Sequence, residues 1–178
     1  GVERLFRTAT ETRDFAPAVC LDGLCLFVRR EVWSEVRFDE ETFRGFHSYD
    51  LDFTTAVARR YRNYVCMNVG IVHFSAGAYT RSWVRDSLRY HDKWRDSLPM
   101  FADKPLSPRE TERVERRTEG YALRFLLRHA LLTRDEARRM VPPYLARYRW
   151  HPRTWQLWIH YRAHLGRLPE NETAWERK

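Results

Sequence analysis

The chain has 178 residues and a formal net charge of +8, with 29 arginines against only 3 lysines. That length suits one domain, or one compact domain with a helical extension, and no apolar run of the 18 or more residues that a membrane-spanning helix needs is present. The charge is uneven: residues 1–106 are near balance at +1, whereas residues 107–178 hold 16 basic and 9 acidic side chains, a net of +7.

Residues 1–18 are polar and mixed, and are expected to form a loop or linker ending at Pro17. Residues 19–28 form a nearly continuous apolar run broken by Asp22 and Gly23, which predicts a buried strand. Cys20 and Cys25 lie in that run and Cys66 in another, so buried, reduced thiols are expected. Residues 29–36 predict a short helix with Val32 and Trp33 facing inward, followed by a loop over 38–48. Leu51, Thr54, Val57, Ala58 and Tyr61 recur at three- and four-residue steps and predict a helix over 50–61. Asp50 and Asp52 stand at its start, where carboxylates suit the helix dipole. Residues 64–68 and 69–74 read as two short strands joined near Gly70, with a small-residue loop over 75–78.

A long helix is expected over 79–97, and Pro99, Pro105 and Pro108 then mark a boundary near 106. Beyond it the pattern is helical. One helix is expected over 109–132. Thr133 and Glu136 form a capping box for a second over 134–140, which Pro142-Pro143 should end. A third is expected over 152–165, with Trp155, Trp158, Ile159 and Tyr161 as its apolar positions and a solvated arginine face. The residues from Pro169 onward are expected to fray.

Three motifs carry chemistry. Tyr49-Asp50-Leu51-Asp52-Phe53 places a carboxylate at a helix start, where it can take a proton from a substrate hydroxyl. Phe38-Asp39-Glu40 precedes it, and Val72-His73-Phe74-Ser75 follows it. The signatures of mononucleotide and dinucleotide loops, serine hydrolases and zinc proteases are missing.

The order Leu21-Asp22-Gly23, Phe38-Asp39-Glu40, Tyr49-Asp50-x-Asp52, Val72-His73-Phe74-Ser75 resembles the acceptor-side half of a GT-A glycosyltransferase of the family-2 kind. That resemblance covers residues 19–77 and implies an α/β chain: a partial GT-A-like (nucleotide-diphospho-sugar transferase) fold over 1–106, with a helical C-terminal extension over 107–178. It implies transfer of a sugar from a nucleotide-sugar donor to a saccharide or other hydroxyl acceptor, with inversion. Asp50 is then the base; Asp22, Gly23, Asp39, Tyr49 and Asp52 line the substrate side; and His73 helps hold Mn²⁺ or Mg²⁺ in the intact enzyme. The nucleotide-binding half has no counterpart in these residues, so the chain by itself is expected to be incomplete for activity. The resemblance points to bacterial polysaccharide synthesis in the cytoplasm, with no nucleic-acid partner and with peripheral membrane contact left open. The alternative is a non-catalytic module whose basic helical tail binds nucleic acid or an anionic surface.

Overall fold

The structure is a computed structural model that describes residues 3–4, 14–74 and 79–171. The chain is mixed α/β and divides into two compact units, Gly1–Pro105 and Leu106–Lys178. The loop expected over 75–78 lies outside the described residues.

Among the described residues of the first unit, two small antiparallel ladders accompany three helices. β1 (Glu3–Arg4) pairs with β4 (His73–Phe74), and β2 (Phe15–Ala18) pairs with β3 (Asn63–Cys66). The helices are α1 (Arg30–Glu35), α2 (Tyr49–Ala58) and α3 (Arg81–Trp94). Two strands thus fall in a stretch expected to be a linker, and the two later strands pair with them instead of forming a hairpin together. Pro17 is tolerated in β2 because each strand of a two-stranded ladder is an edge that need not use every N–H.

The strand expected over 19–28 does not form. Its backbone donors are taken by side chains of α2 instead: Leu21 N–H donates to Thr54 Oγ1 at 3.0 Å and Gly23 N–H to Asp50 Oδ2 at 2.6 Å. The expectation of buried thiols falls with it, and Cys20, Cys25 and Cys66 are free and exposed. Asn63 secures this segment from below: its Nδ2 donates to the carbonyls of Val19 and Thr54, both at 2.7 Å, which ties the end of β2 to α2 and β3.

Two apolar clusters hold the helices. Val32, Phe53 and Val57 pack with Leu26, Val36, Phe38 and Tyr61; Phe43, Tyr90 and Trp94 pack with Tyr49, Leu51 and Leu98. Trp33, expected to face inward, stays partly exposed, with its ring against Phe38 and Phe53 and the Arg37 guanidinium 4.2 Å from its centre.

Among its described residues the second unit holds α4 (Pro108–Arg128), α5 (Arg134–Arg147) and α6 (Pro152–Leu165). Leu127, Leu132, Ala137, Val141 and Leu157 have no exposed surface, and each fully buried leucine contributes about 2 kcal/mol. Reciprocal capping boxes start α4 (Ser107 with Glu110) and α5 (Thr133 with Glu136).

α4 stops at Arg128, four residues before its expected end. Ala130 there adopts φ 49°, its N–H donates to the Leu127 carbonyl at 3.1 Å, and Leu131 N–H donates to the Leu126 carbonyl at 2.9 Å. This pair of bonds is a Schellman termination, with alanine at the left-handed position that glycine usually fills.

α5 runs straight through Pro142 and Pro143, against expectation. The prolines deprive the carbonyls of Arg138 and Arg139 of their helical partners, but all four residues are exposed, where water can serve. Val141 and Tyr144 on either side are buried, and their packing keeps the helix going. Tyr144 reaches α4, where its Oη donates to the Arg116 carbonyl at 3.0 Å in the space left by Gly120, whose Cβ would overlap that hydroxyl.

α6 has its expected bounds but shows a different face. Thr154 and Leu157 are its buried residues, and the tryptophans expected in its core point to solvent.

Candidate functional site

The first turn of α2 is set by Ser48, a buried serine at φ 65° and ψ 0°, whose carbonyl accepts from Asp52 N–H at 2.9 Å. A non-glycine residue in the left-handed region is uncommon, and such residues gather where the chain must be aimed. Here it turns the loop sharply into Tyr49-Asp50-Leu51-Asp52.

Asp50 is half-buried at this helix start. Its Oδ2 accepts from Gly23 N–H at 2.6 Å and its Oδ1 from Leu51 N–H at 2.9 Å, so both oxygens are oriented by backbone donors. Thr54 Oγ1 donates to the Asp50 carbonyl at 2.7 Å while accepting from Leu21 N–H, which pins the 21–23 segment against α2 at a second point. Any side chain at position 23 would intrude: a Cβ there would lie 2.9 Å from Asp50 Cβ and 3.2 Å from Tyr49 Oη. Gly23, Tyr49 and Asp50, separated by 27 positions at most, thus meet at one place, with exposed Asp22 beside them. The Tyr49 ring stands edge-on to Phe38 at 5.7 Å and packs on the Phe43, Tyr90 and Trp94 cluster.

Asp52 and Asp39 belong to a different constellation. Asp52 is buried; Trp94 Nε1 donates to its Oδ1 at 2.8 Å and Lys93 Nζ to its Oδ2 at 2.9 Å. The same ammonium donates to Asp39 Oδ2 at 2.7 Å, and Asp39 Oδ1 accepts from Thr42 N–H at 2.9 Å. The Lys93 hydrogen bond, and after it those from Thr42, hold the Asp39 carboxyl well below the usual carboxylate range. Burial pushes Lys93 down, but its bonds to Asp39 and Asp52 outweigh it and leave the ammonium above its ordinary value. These two aspartates join the loop before α2 to α3.

Lys93 is the residue that the sequence motifs miss, because it is 54 and 41 positions from its partners. Its one signal is compositional. Among 29 arginines a lysine is rare, and a compact ammonium with three donors fits between two carboxylates where a planar guanidinium would not.

His73 pairs through its backbone with Arg4, and the position of its ring lies outside the described residues. Among the described residues no group of three histidine, cysteine or acidic side chains could hold a metal ion. The carboxylates of Asp39, Asp50 and Asp52 are instead oriented by N–H donors, and they divide between two separate constellations.

Comparison with known proteins finds no family model, no curated protein and no solved structure that matches the chain.

Proposed function

We propose that residues 19–77 form the acceptor side of an inverting glycosyltransferase, with Asp50 as the base. The observation that carries this reading is the Asp50 carboxylate, half-buried at a helix start and aimed by two backbone N–H groups, with Gly23 and Tyr49 against it. Each of its oxygens keeps a lone pair that can accept a proton from an acceptor hydroxyl. As the hydroxyl oxygen bonds to the anomeric carbon of the donor sugar, its proton passes to Asp50. The bond from that carbon to the diphosphate oxygen breaks, and the nucleoside diphosphate leaves with the electron pair. Attack opposite the leaving group inverts the centre. Asp22, exposed beside this point, contacts an acceptor hydroxyl, and Tyr49 shapes the wall. In this reading residues 19–77 supply the acceptor side, and none of them is assigned to the donor nucleotide.

The test is transfer of labelled sugar from nucleotide-sugar donors by the full-length protein and its Asp50→Asn variant. Asparagine keeps an oxygen for the Gly23 N–H but is no base, so turnover should fall about 10²–10⁴-fold with the circular dichroism spectrum unchanged. Turnover within a few-fold of the parent would remove Asp50 from this role.

A further inference from the structure

An open cleft of about 740 Å³ lies between α4 and α6, and its lining comes from one stripe of each helix. Arg117, Tyr121 and Arg124 recur at four- and three-residue steps on α4, and Arg153, Gln156 and His160 at three- and four-residue steps on α6. Arg124 and His160 are half-buried, and the other four reach solvent. The two helices bring positive charge to one neighbourhood at Tyr144 as well. Burial, and then Glu119, push the Tyr144 hydroxyl above its ordinary value, and Arg124, Arg116 and Arg153 pull it back.

Among the described residues no aspartate or glutamate lines this cleft. Elsewhere in the unit arginines find carboxylates, as Arg147 does with Glu115 at 2.8 Å, Arg134 with Glu170 at 2.9 Å and Arg138 with Asp135 at 3.4 Å. Among the described residues Arg117, Arg124 and Arg153 have no such partner. Guanidinium groups gathered in a concave place without counter-charge repel one another, and their N–H forks stay open to an anion.

We propose that this cleft binds a compact ligand carrying two linked phosphate groups, a diphosphate, with Arg117 and Arg124 of α4 and Arg153 of α6 as its cations. The planar guanidinium fork matches a pair of phosphate oxygens. Two phosphates fit better than one because Arg117 and Arg124 are separated by two turns of α4, about 10 Å of rise. The volume exceeds what one phosphate fills and lies within the range of small-molecule sites. Tyr121 and Gln156 add uncharged donors, so selection does not rest on charge alone. A nucleic-acid strand is the weaker occupant, because it needs a basic track with several open rings on which to stack bases. The cleft offers the ring of Tyr121, and Trp155 and Trp158 stand on the side of α6 away from Arg153 and His160. The proposal does not depend on the role given to Asp50.

The experiment is isothermal titration calorimetry of the full chain with inorganic diphosphate, with orthophosphate, sulfate and a single-stranded oligonucleotide as parallel arms. Diphosphate should bind at a single site, and orthophosphate and sulfate should bind more weakly by about tenfold or more. Arg117→Gln and Arg153→Gln should each weaken diphosphate binding about tenfold, and adding Arg124→Gln to the pair should abolish the heat. Arg117 and Arg153 are at the surface, so circular dichroism and the thermal midpoint of their variants should match the parent. Arg138→Gln removes the same charge outside the cleft and should leave the affinity within about twofold. The proposal is overturned if diphosphate gives no heat, if sulfate binds as tightly, if the cleft variants bind as the parent does, or if Arg138→Gln weakens binding as much as they do. Capture of the oligonucleotide that diphosphate fails to displace would overturn it too, and would assign the cleft to nucleic acid.

Discussion

Among the described residues the Gly1–Pro105 unit buries six polar or charged side chains beside seven apolar ones, whereas Leu106–Lys178 buries eleven apolar side chains and two threonines. A buried polar group is costly unless partnered, and each partner fixes a direction. In the first unit Asp52 has Lys93 and Trp94, Asn63 has two carbonyls, and Thr55 shares a 2.7 Å hydrogen bond with Tyr90. The second unit is held by non-directional burial and by caps at its helix starts. The difference teaches where chemistry can reside. A carboxylate can be aimed within a few tenths of an ångström only by a network like that of the first unit, and a cleft lined by long arginines asks only for the stiff support of the second.

If this contrast is right, the two units should respond to different substitutions. The largest effect should come from Lys93→Met, which leaves the Asp52 carboxylate buried with Trp94 N–H alone. A loss of about 3 kcal/mol is expected, seen as faster amide exchange in α2 with α5 unchanged. Equal acceleration in both units would break the comparison. Next is acid. Asp39 sits below its ordinary value of 3.8 when folded, so its contribution is present above that pH and is lost as pH falls toward the folded value. Asp39→Asn should therefore cost about 1–2 kcal/mol at neutral pH and flatten the decline of stability below pH 3.8. An unchanged decline in urea titrations would assign acid sensitivity to other carboxylates. The smallest effect should be a gain. Ala130→Gly relieves the left-handed alanine at the end of α4 and should stabilise the second unit by roughly 1 kcal/mol, read from its thermal midpoint.

What the sequence disclosed depended on the range of the signal. α6 kept its expected bounds, and the Thr133 box marked the start of α5, because caps and prolines act within a few residues. The same box at Ser107 was equally open to view and places the start of α4 one residue before expectation. The end of α4 left no mark, since its left-handed residue is alanine. The apolar run over 19–28 reads as a strand because periodicity does not reveal that Thr54 and Asp50 will claim its N–H groups. The exposure of the α6 tryptophans is hidden from the sequence for a related reason: hydrophobicity says what a side chain resists, and not which face the neighbouring helices cover. At the candidate site Asp22, Gly23, Tyr49 and Asp50 were legible as one place, whereas the division that sends Asp39 and Asp52 to Lys93 was not.

The Tyr144 hydroxyl in the hollow at Gly120 has a mechanical consequence. Amphipathic helices packed through leucines can slide past each other by a turn with little penalty, since one leucine resembles the next. One turn up or down α4 from Gly120, the hollow is replaced by the side chain of Arg116 or Arg124. A slipped bundle would press the phenol into an arginine and strand its hydroxyl away from the Arg116 carbonyl. The glycine and tyrosine therefore index α4 against α5 like a key in a slot.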